Sequence, residues 1–409
     1  MTVALPAQGS ALRVLVAPDK FKGSLSAAEV AECLAVGLLR AAGPGSSVRA
    51  MPVADGGDGT VDAVVSADFE RRTVLVPGPV GNPVQAAFAL RGDTAVVELA
   101  EASGLRRMPR GHSRSDAGVD LIDPLDPLGL LDPLDPLGAH TRGTGALISA
   151  ALDAGARTII LAVGGSASTD GGTGLLSALG ARFLDLSGNP VPDGGGGLTR
   201  IESVDLSGLD PRLRNTEFFL AADVDNPLLG PHGAAAVYGP QKGASDQDLL
   251  LLERGLAHLV RALTGSLGES YASAADRPGA GAAGGVGYAA LAVLGAQQRS
   301  GIDLVLETIG FPAALAEADL VITGEGRLDE QTLHGKAPAG VARAARARGI
   351  PVLAVCGRLD LDPTRLAGAG FARAYPLTDL EPDPARCMAE AGPLLTALGE
   401  RIARDLRAA

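Results

Sequence analysis

Apolar residues recur along this chain in short runs that empty into loops of glycine, serine, aspartate and lysine. Residues 13–17, 48–53, 158–163, 218–222, 319–323 and 351–356 are such stretches, mainly apolar with Arg13, Arg49, Thr158, Asp319 and Thr323 among them, and a run of this length between turn residues predicts a strand. The first leads into Pro18-Asp-Lys-Phe-Lys-Gly-Ser24. Ser26 and Glu29 then stand at capping-box spacing and predict a helix to about Ala42, ahead of Gly43 and Pro44. The second leads into Ala54-Asp-Gly-Gly-Asp-Gly-Thr60 and a helix near 61–68. The rhythm returns late in the chain. Strand 319–323 opens into Gly324-Glu-Gly-Arg-Leu-Asp329 and Thr332-Leu-His-Gly-Lys336 before a helix at 338–348, then strand 351–356 and a last amphipathic helix over 384–407. Strand, polar loop and helix in repetition predict a doubly wound α/β sheet, which binds ligands beyond the carboxyl ends of its strands.

The pattern changes from Arg71. Residues 73–76, 84–90 and 94–99 read as short strands separated by Pro-Gly-Pro, Gly-Asn-Pro and Arg-Gly-Asp turns, which predicts an antiparallel meander. The expected organisation is a Rossmann-like domain of 1–70 and 300–409, interrupted by a second, mixed α/β domain at 71–299. Inside the insertion, Asp-Pro-Leu-Asp-Pro-Leu-Gly occurs twice within 123–138. Proline at every third position sustains neither a helix nor an inner strand, so this stretch is expected to be an exposed, dispensable loop. Thr141-Arg-Gly-Thr-Gly145 should open a helix to about Gly155 whose free N–H groups offer an anion site beside Arg142. Residues 279–284 match the glycine spacing of a dinucleotide fingerprint but follow a polar, proline-containing segment instead of a strand, so the match is discounted.

Composition narrows the function. The 409-residue chain carries a formal charge of −12, no Trp and only 3% aromatic residues, which argues against nucleic acid or an anionic membrane as partner. No run approaches membrane-spanning length and the first residues lack the order of a signal peptide, so a cytoplasmic location is expected. Cys33, Cys356 and Cys387 lack metal-ligand spacing, and Cys33 and Cys356 read as small core residues; the five histidines form no zinc motif. Only four of the 35 Lys and Arg residues are lysines: Lys20, Lys22, Lys242 and Lys336. All lie in Gly/Ser-containing loops, where a compact ammonium suits a phosphate or carboxylate.

The stretch with the most concentrated chemistry is Gly164-Gly-Ser-Ala-Ser-Thr-Asp-Gly-Gly-Thr-Gly174. Its glycines (Gly164, Gly165, Gly171, Gly172) and hydroxyls (Ser166, Ser168) have little to bury, and read as donors aimed at an oxyanion. Asp170 within it is either a helix cap or a group that binds metal or takes a proton from a hydroxyl. Asp55 and Asp58 suit a Mg²⁺-water shell or a substrate hydroxyl. Lysines and glycine turns for phosphate, with isolated carboxylates for Mg²⁺ or proton abstraction, point to phosphoryl transfer onto a small hydroxylated molecule. The Walker A, protein-kinase and nucleophile-elbow motifs are all missing.

The ordered motifs also carry a resemblance. Ala17-Pro-Asp-Lys-Phe-Lys-Gly-Ser-Leu-Ser-Ala27, Pro52–Thr60, Arg142–Gly145, Gly164–Gly174, Asp223–Pro227, Gly239–Ser245, Ile322–Asp329 and His334-Gly-Lys336 resemble the bacterial glycerate kinase family that includes the glyoxylate- and galactarate-pathway enzymes. The resemblance spans nearly the whole chain, departing from the family only at the duplicated Asp-Pro-Leu segment. It implies a two-domain enzyme using ATP and Mg²⁺ to phosphorylate D-glycerate, typically giving 2-phosphoglycerate. A 3-phosphoglycerate product and a nucleotide-dependent oxidoreductase stand as alternatives, and a homodimer is left open. Local chemistry then assigns roles. Asp170 is the first choice as base and Asp223 the second, with Lys20 and Lys22 neutralising phosphate or carboxylate. Asp55, Asp58, Arg142, Ser166 and Ser168 would hold substrate. Gly164, Gly165, Gly171, Gly172, Lys242, Gly324, Glu325, His334 and Lys336 would hold nucleotide, with Glu325 and Asp329 as metal candidates.

Overall fold

Unbroken apolar runs are what strands covered on both faces require. The computed structural model, which describes residues 11–109, 134–333 and 335–408, buries most of them in this way, but the second run forms an edge strand at Ser47–Ala50 that is largely exposed. The described chain falls into two compact units, one formed by the segments up to Phe69 and from Ser300 on, the other by Glu70–Arg299.

The first unit begins with strands β1 (Arg13–Val16) and β2 (Ser47–Ala50). The chain then builds the second unit with β3 (Glu70–Pro77), β4 (Pro83–Arg91), β5 (Thr94–Glu98), β6 (Thr158–Ala162), β7 (Arg182–Leu184), β8 (Ser203–Asp205), β9 (Glu217–Ala221) and β10 (Gln297–Arg299). It returns for β11 (Leu320–Leu328), β12 (Val352–Leu359) and β13 (Arg373–Pro376). In the first unit the order β2-β1-β11-β12-β13 is parallel throughout, with Val14 paired to both Val48 and Leu320. The winding reverses between β1 and β11, the position where this strand order receives its ligands.

Val14, Val16, Leu320, Ile322, Leu353 and Val355 project from one face into a core completed by helices Ala27–Ala41 and Ala391–Ala408. Those helices pack backbone to backbone: a Cβ on Gly37 would lie 2.0 Å from the Thr396 carbonyl, and one on Gly399 2.7 Å from that of Leu34. The Ser26–Glu29 capping box forms in full. Strand β11 outruns its apolar core, because Glu325–Leu328 pair with β12 through the main chain. The last helical stretch is two helices, Pro384–Ala389 and Ala391–Ala408. Pro393 falls in the first turn of the second, where its missing N–H costs no hydrogen bond.

In the second unit the sheet order is β10-β9-β6-β5-β4-β3. β3, β4 and β5 are the antiparallel meander, and β5, β6, β9 and β10 continue it as a parallel sheet. Helices Arg142–Asp153 and Asp246–Leu267 and the helical stretch Ala282–Ala292, broken by left-handed backbone at residues 283–285, cover a core of Phe88, Leu147, Ile159, Leu161, Leu175, Phe218, Leu256, Leu259 and Tyr288. Most of the Asp-Pro-Leu stretch lies outside the described residues, but its end corrects the expectation of an exposed loop. Pro136 is buried, Leu137 packs on the core, and the Leu137 carbonyl accepts from Gly196 N–H at 2.9 Å. Cys356 is buried and Cys33 half-buried, as small core residues should be. Among the described residues no helix is long and apolar enough to cross a membrane.

Candidate functional site

The polar loop beyond the carboxyl end of β1 lies against the middle of β11. Ala17 N–H donates to Ile322 O at 2.7 Å and Asp19 N–H to Gly324 O at 2.8 Å, while the Thr323 hydroxyl donates to Ala17 O at 2.7 Å. The main chain therefore pins the Asp19-Lys20 step against Gly324-Glu325. Gly324 is required by packing, since a Cβ there would lie 1.9 Å from the Val355 carbonyl.

Lys20 links the β1 loop to the β2 loop. Its ammonium donates to the Asp58 carbonyl, and lies 3.8 Å from Asp58 Oδ2 and 3.9 Å from Asp19 Oδ1. Asp55 Oδ1 accepts from Gly57 N–H at 3.1 Å, bracing the same turn. Asp19 is 7% exposed. Burial pushes its carboxyl up to about 7; the Lys20 ammonium opposes the shift, and the Asp55 and Glu325 charges add to it. Glu325 is also buried and raised by that burial. Thr332 Oγ1 donates to its Oε1 at 2.6 Å and Lys336 Nζ to its Oε2 at 3.3 Å. Lys22 is solvent-exposed beyond this cluster, and His334 lies outside the described residues.

The Glu325–Asp329 pair does not fit a resident metal as folded. The Lys336 ammonium stands 3.3 Å from Glu325 and 4.0 Å from Asp329, where a dication bridging them would sit. The Asp329 carboxylate is further engaged by the N–H groups of Gln331 and Thr332. Among the described residues no three His, Cys, Asp or Glu side chains assemble into a metal-holding group.

The second unit revises the reading of residues 164–174. Ser166–Gly174 is buried, leaving Gly164 half-exposed and Gly165 exposed. Gly171 and Gly172 have φ of +63° and +76°. A Cβ on them would lie 2.4 Å from Leu259 Cδ2 and from Ala289 Cβ respectively. Their neighbours are thus protein, not phosphate. The glycines at 279–285 serve the same end: Gly171 N–H donates to Gly284 O at 3.0 Å, and a Cβ on Gly284 would lie 2.1 Å from the Ser168 carbonyl. The fingerprint spacing is a packing seam.

Asp170 is fully buried with both oxygens engaged. Oδ2 accepts from Thr141 N–H (2.8 Å), the Thr141 hydroxyl (2.7 Å) and Gly174 N–H (3.2 Å), and Oδ1 accepts from Gly172 N–H (3.0 Å). The Thr141 hydroxyl in turn accepts from Leu175 N–H at 2.9 Å. The anion held at the start of helix Arg142–Asp153 is therefore the protein's own. Gly172, not Asp170, is the cap residue of helix Thr173–Ala178, but the Asp170 carboxylate serves main-chain donors at the starts of both helices, and with donors on both oxygens it is the weaker candidate for a base. Arg142 is likewise committed, through a bidentate pair with Asp193 at 2.8 Å for each bond.

Lys242 is 2% exposed, donates to the Ser168 carbonyl at 2.5 Å, and is pushed down by burial to about 7, with Asp170 opposing the shift. The hydroxyls of Ser168 and Thr169 are buried and have no hydrogen-bond partner among the described residues. Ser166 pairs with Gly104 in an isolated bridge. Asp223, in the loop after β9, is exposed.

Of the sequence candidates, the structure brings together Lys20, Asp55, Asp58, Gly324, Glu325, Asp329 and Lys336 in one unit. In the other it gathers Asp170, Lys242, Ser168 and the buried glycines. Sequence reasoning passed over Asp19, Thr141 and Thr332. Asp19 had a signal, its place just past the first strand and beside Lys20. The two threonines had none, because each matters through a partner remote in the chain or across a turn.

Comparison with known proteins gives a consistent identification. The sequence profile described as the glycerate kinase family matches residues 14–119 and 128–407. A protein named glycerate kinase from Bacillus subtilis is 44% identical over 407 residues, covering 97% of each chain. One named glycerate 2-kinase from Escherichia coli is 42% identical over 354 residues, covering 86% of each. Among solved structures, a candidate glycerate kinase 2 from Salmonella typhimurium LT2 superposes with a TM-score of 0.79 at 38% identity, covering 98% of this chain and 99% of that one. The chain belongs to the glycerate kinase family.

Proposed function

We propose that the protein transfers the terminal phosphoryl group of ATP to D-glycerate, giving 2-phosphoglycerate and ADP. The observation that carries this reading is the cluster at the β1/β11 switch point, joined to family membership. Two ammonium groups, Lys20 and Lys336, stand among Asp19, Asp55, Asp58 and Glu325 where a doubly wound sheet takes its ligand. Phosphoryl transfer asks for positioning and charge neutralisation more than for covalent chemistry. Lys20, Lys336 and the exposed Lys22 supply point charges for phosphate and for the glycerate carboxylate. Asp55 and Asp58 supply acceptors that orient the substrate hydroxyls. In the second unit, Gly164, Gly165 and Asp223 are the accessible candidates, on loops that follow the neighbouring strands β6 and β9.

Mg²⁺ enters as part of the substrate MgATP, held mainly by the phosphates. An enzyme that draws on free ATP and a free three-carbon acid belongs in the cytoplasm. The name of the Escherichia coli relative favours the 2-position.

The test is proton-coupled phosphorus NMR of the product made from D-glycerate and MgATP. A phosphate on the secondary carbon couples to one proton and gives a doublet, the result expected. A triplet from coupling to a methylene would overturn the regiochemistry, and ATP consumption independent of glycerate would overturn the acceptor.

A further inference from the structure

Resting on the kinase reading, the transfer requires that the attacking hydroxyl lose its proton as the oxygen–phosphorus bond forms. A side chain that accepts it needs a carboxylate oxygen free of protein donors, held at the ligand-binding edge of the sheet. Among the carboxylates of the two loop clusters, Asp170 has neither oxygen free. Glu325 gives one oxygen to Thr332 and the other to Lys336. Asp329 gives Oδ1 to two main-chain N–H groups and to Lys336, and its Oδ2 faces the Arg327 guanidinium at 3.7 Å.

Asp19 differs. Its Oδ1 takes both contacts, the Lys20 N–H at 2.6 Å and the Lys20 ammonium at 3.9 Å. Its Oδ2 has no hydrogen-bond donor among the described residues. The Asp19 N–H bond to Gly324 O fixes the residue at the switch point, two residues beyond Ala17 and opposite the middle of β11. The charged groups facing it are the Lys20 ammonium from its own loop, Asp55 from the β2 loop and Glu325 from β11.

We propose that Asp19 is the catalytic base. Its Oδ2 takes the proton of the glycerate hydroxyl while that oxygen bonds to the terminal phosphorus of ATP; the bond from that phosphorus to its bridging oxygen breaks, and ADP leaves with the electron pair. The proton passes from Asp19 to solvent after product departs. A carboxyl raised toward neutrality by burial and two like charges is suited to this exchange, since near neutral pH part of it is ionised while it still holds a proton well enough to drive the step.

The experiment compares wild type, Asp19→Asn and Asp19→Glu in kcat, KM for D-glycerate and MgATP, and the pH dependence of kcat. Folding is checked by circular dichroism. Asp19→Asn is expected to lose about 10²- to 10⁴-fold in kcat with KM changed less than about threefold, and to lose the acid limb of the profile. Asp19→Glu should recover part of kcat with the acid limb displaced. Asp19→Asn turnover within about threefold of wild type, or an acid limb unchanged in either variant, overturns the assignment. Should Asp19→Asn fail to fold, the displaced or undisplaced limb of Asp19→Glu decides alone. Wild type that leaves D-glycerate unphosphorylated overturns the kinase reading itself and this inference with it, an outcome visible before any variant is made.

Discussion

Asp170 and Thr141, 29 residues apart in sequence, are joined by two hydrogen bonds to one carboxylate oxygen, from the threonine N–H at 2.8 Å and its hydroxyl at 2.7 Å. The bond pair ties the start of helix Arg142–Asp153 to the loop that precedes helix Thr173–Ala178. Thr141→Val removes a hydroxyl that donates to Asp170 and accepts from Leu175, and should destabilise the protein by about 1–3 kcal/mol. Asp170→Asn puts an NH₂ group against N–H donors and should cost about 3 kcal/mol or more. Urea unfolding measures both. Activity per folded molecule should survive Thr141→Val; a large kcat loss with unchanged stability would return these residues to the chemistry.

That pair also shows where sequence reading stops. Runs such as 14–17 and 320–322 are legible as strands because both faces of a parallel sheet are covered, so their positions are apolar. The Ser26–Glu29 cap is legible because its chemistry is local. Asp19 and Asp170 look alike in sequence, each an aspartate in a polar loop after a strand. What separates them is how many donors the fold aims at each oxygen, which is decided by residues such as Thr141 far along the chain. The glycines at 171, 172 and 284 are ambiguous for a related reason. Glycine marks a close approach, and the chain alone does not say whether the approaching group is a phosphate or another stretch of backbone.

Lys242 predicts a pH dependence of stability. Burial lowers its folded-state value to about 7, below the ordinary lysine value that the unfolded chain retains. Between those limits the unfolded chain binds more protons, so the penalty is full below pH 7 and fades as pH rises. Replacing Lys242 by Met removes that pH-dependent part. The stability of Lys242→Met relative to wild type should therefore be greatest near pH 6 and decline by roughly 2–4 kcal/mol toward pH 10. Parallel urea series at four pH values test it. A constant difference would mean that the lysine reaches water.

Asp19 predicts a pH effect on the acid side. Its folded-state value near 7 lies above the ordinary aspartate value, so the native state binds the extra proton between about pH 4 and 7. The cost of the buried carboxylate is absent below that window and complete above it. Asp19→Asn should accordingly raise the melting temperature at pH 8 and leave it nearly unchanged at pH 4.5, with a gain on the order of 1–4 kcal/mol at the higher pH. A stability gain joined to a loss of turnover is the pattern of a residue kept for function. Equal melting shifts at both pH values would contradict the raised proton affinity.

Lys336 closes the cluster from the opposite loop, and its substitution separates charge from shape. The pair with Glu325 is partly exposed on the lysine side, at 31% against 10%, so Lys336→Met should change stability by no more than about 1 kcal/mol. Binding should suffer far more, because a phosphate or carboxylate loses a point charge at the switch point. The KM for MgATP or for D-glycerate is expected to rise at least about tenfold. Lys336→Arg should restore little of it, since a planar guanidinium cannot occupy the place of a compact ammonium between Glu325 and Asp329. Steady-state kinetics with each substrate varied in turn, beside a thermal melt, checks the division. Both KM values unchanged in Lys336→Met would confine this lysine to holding Glu325.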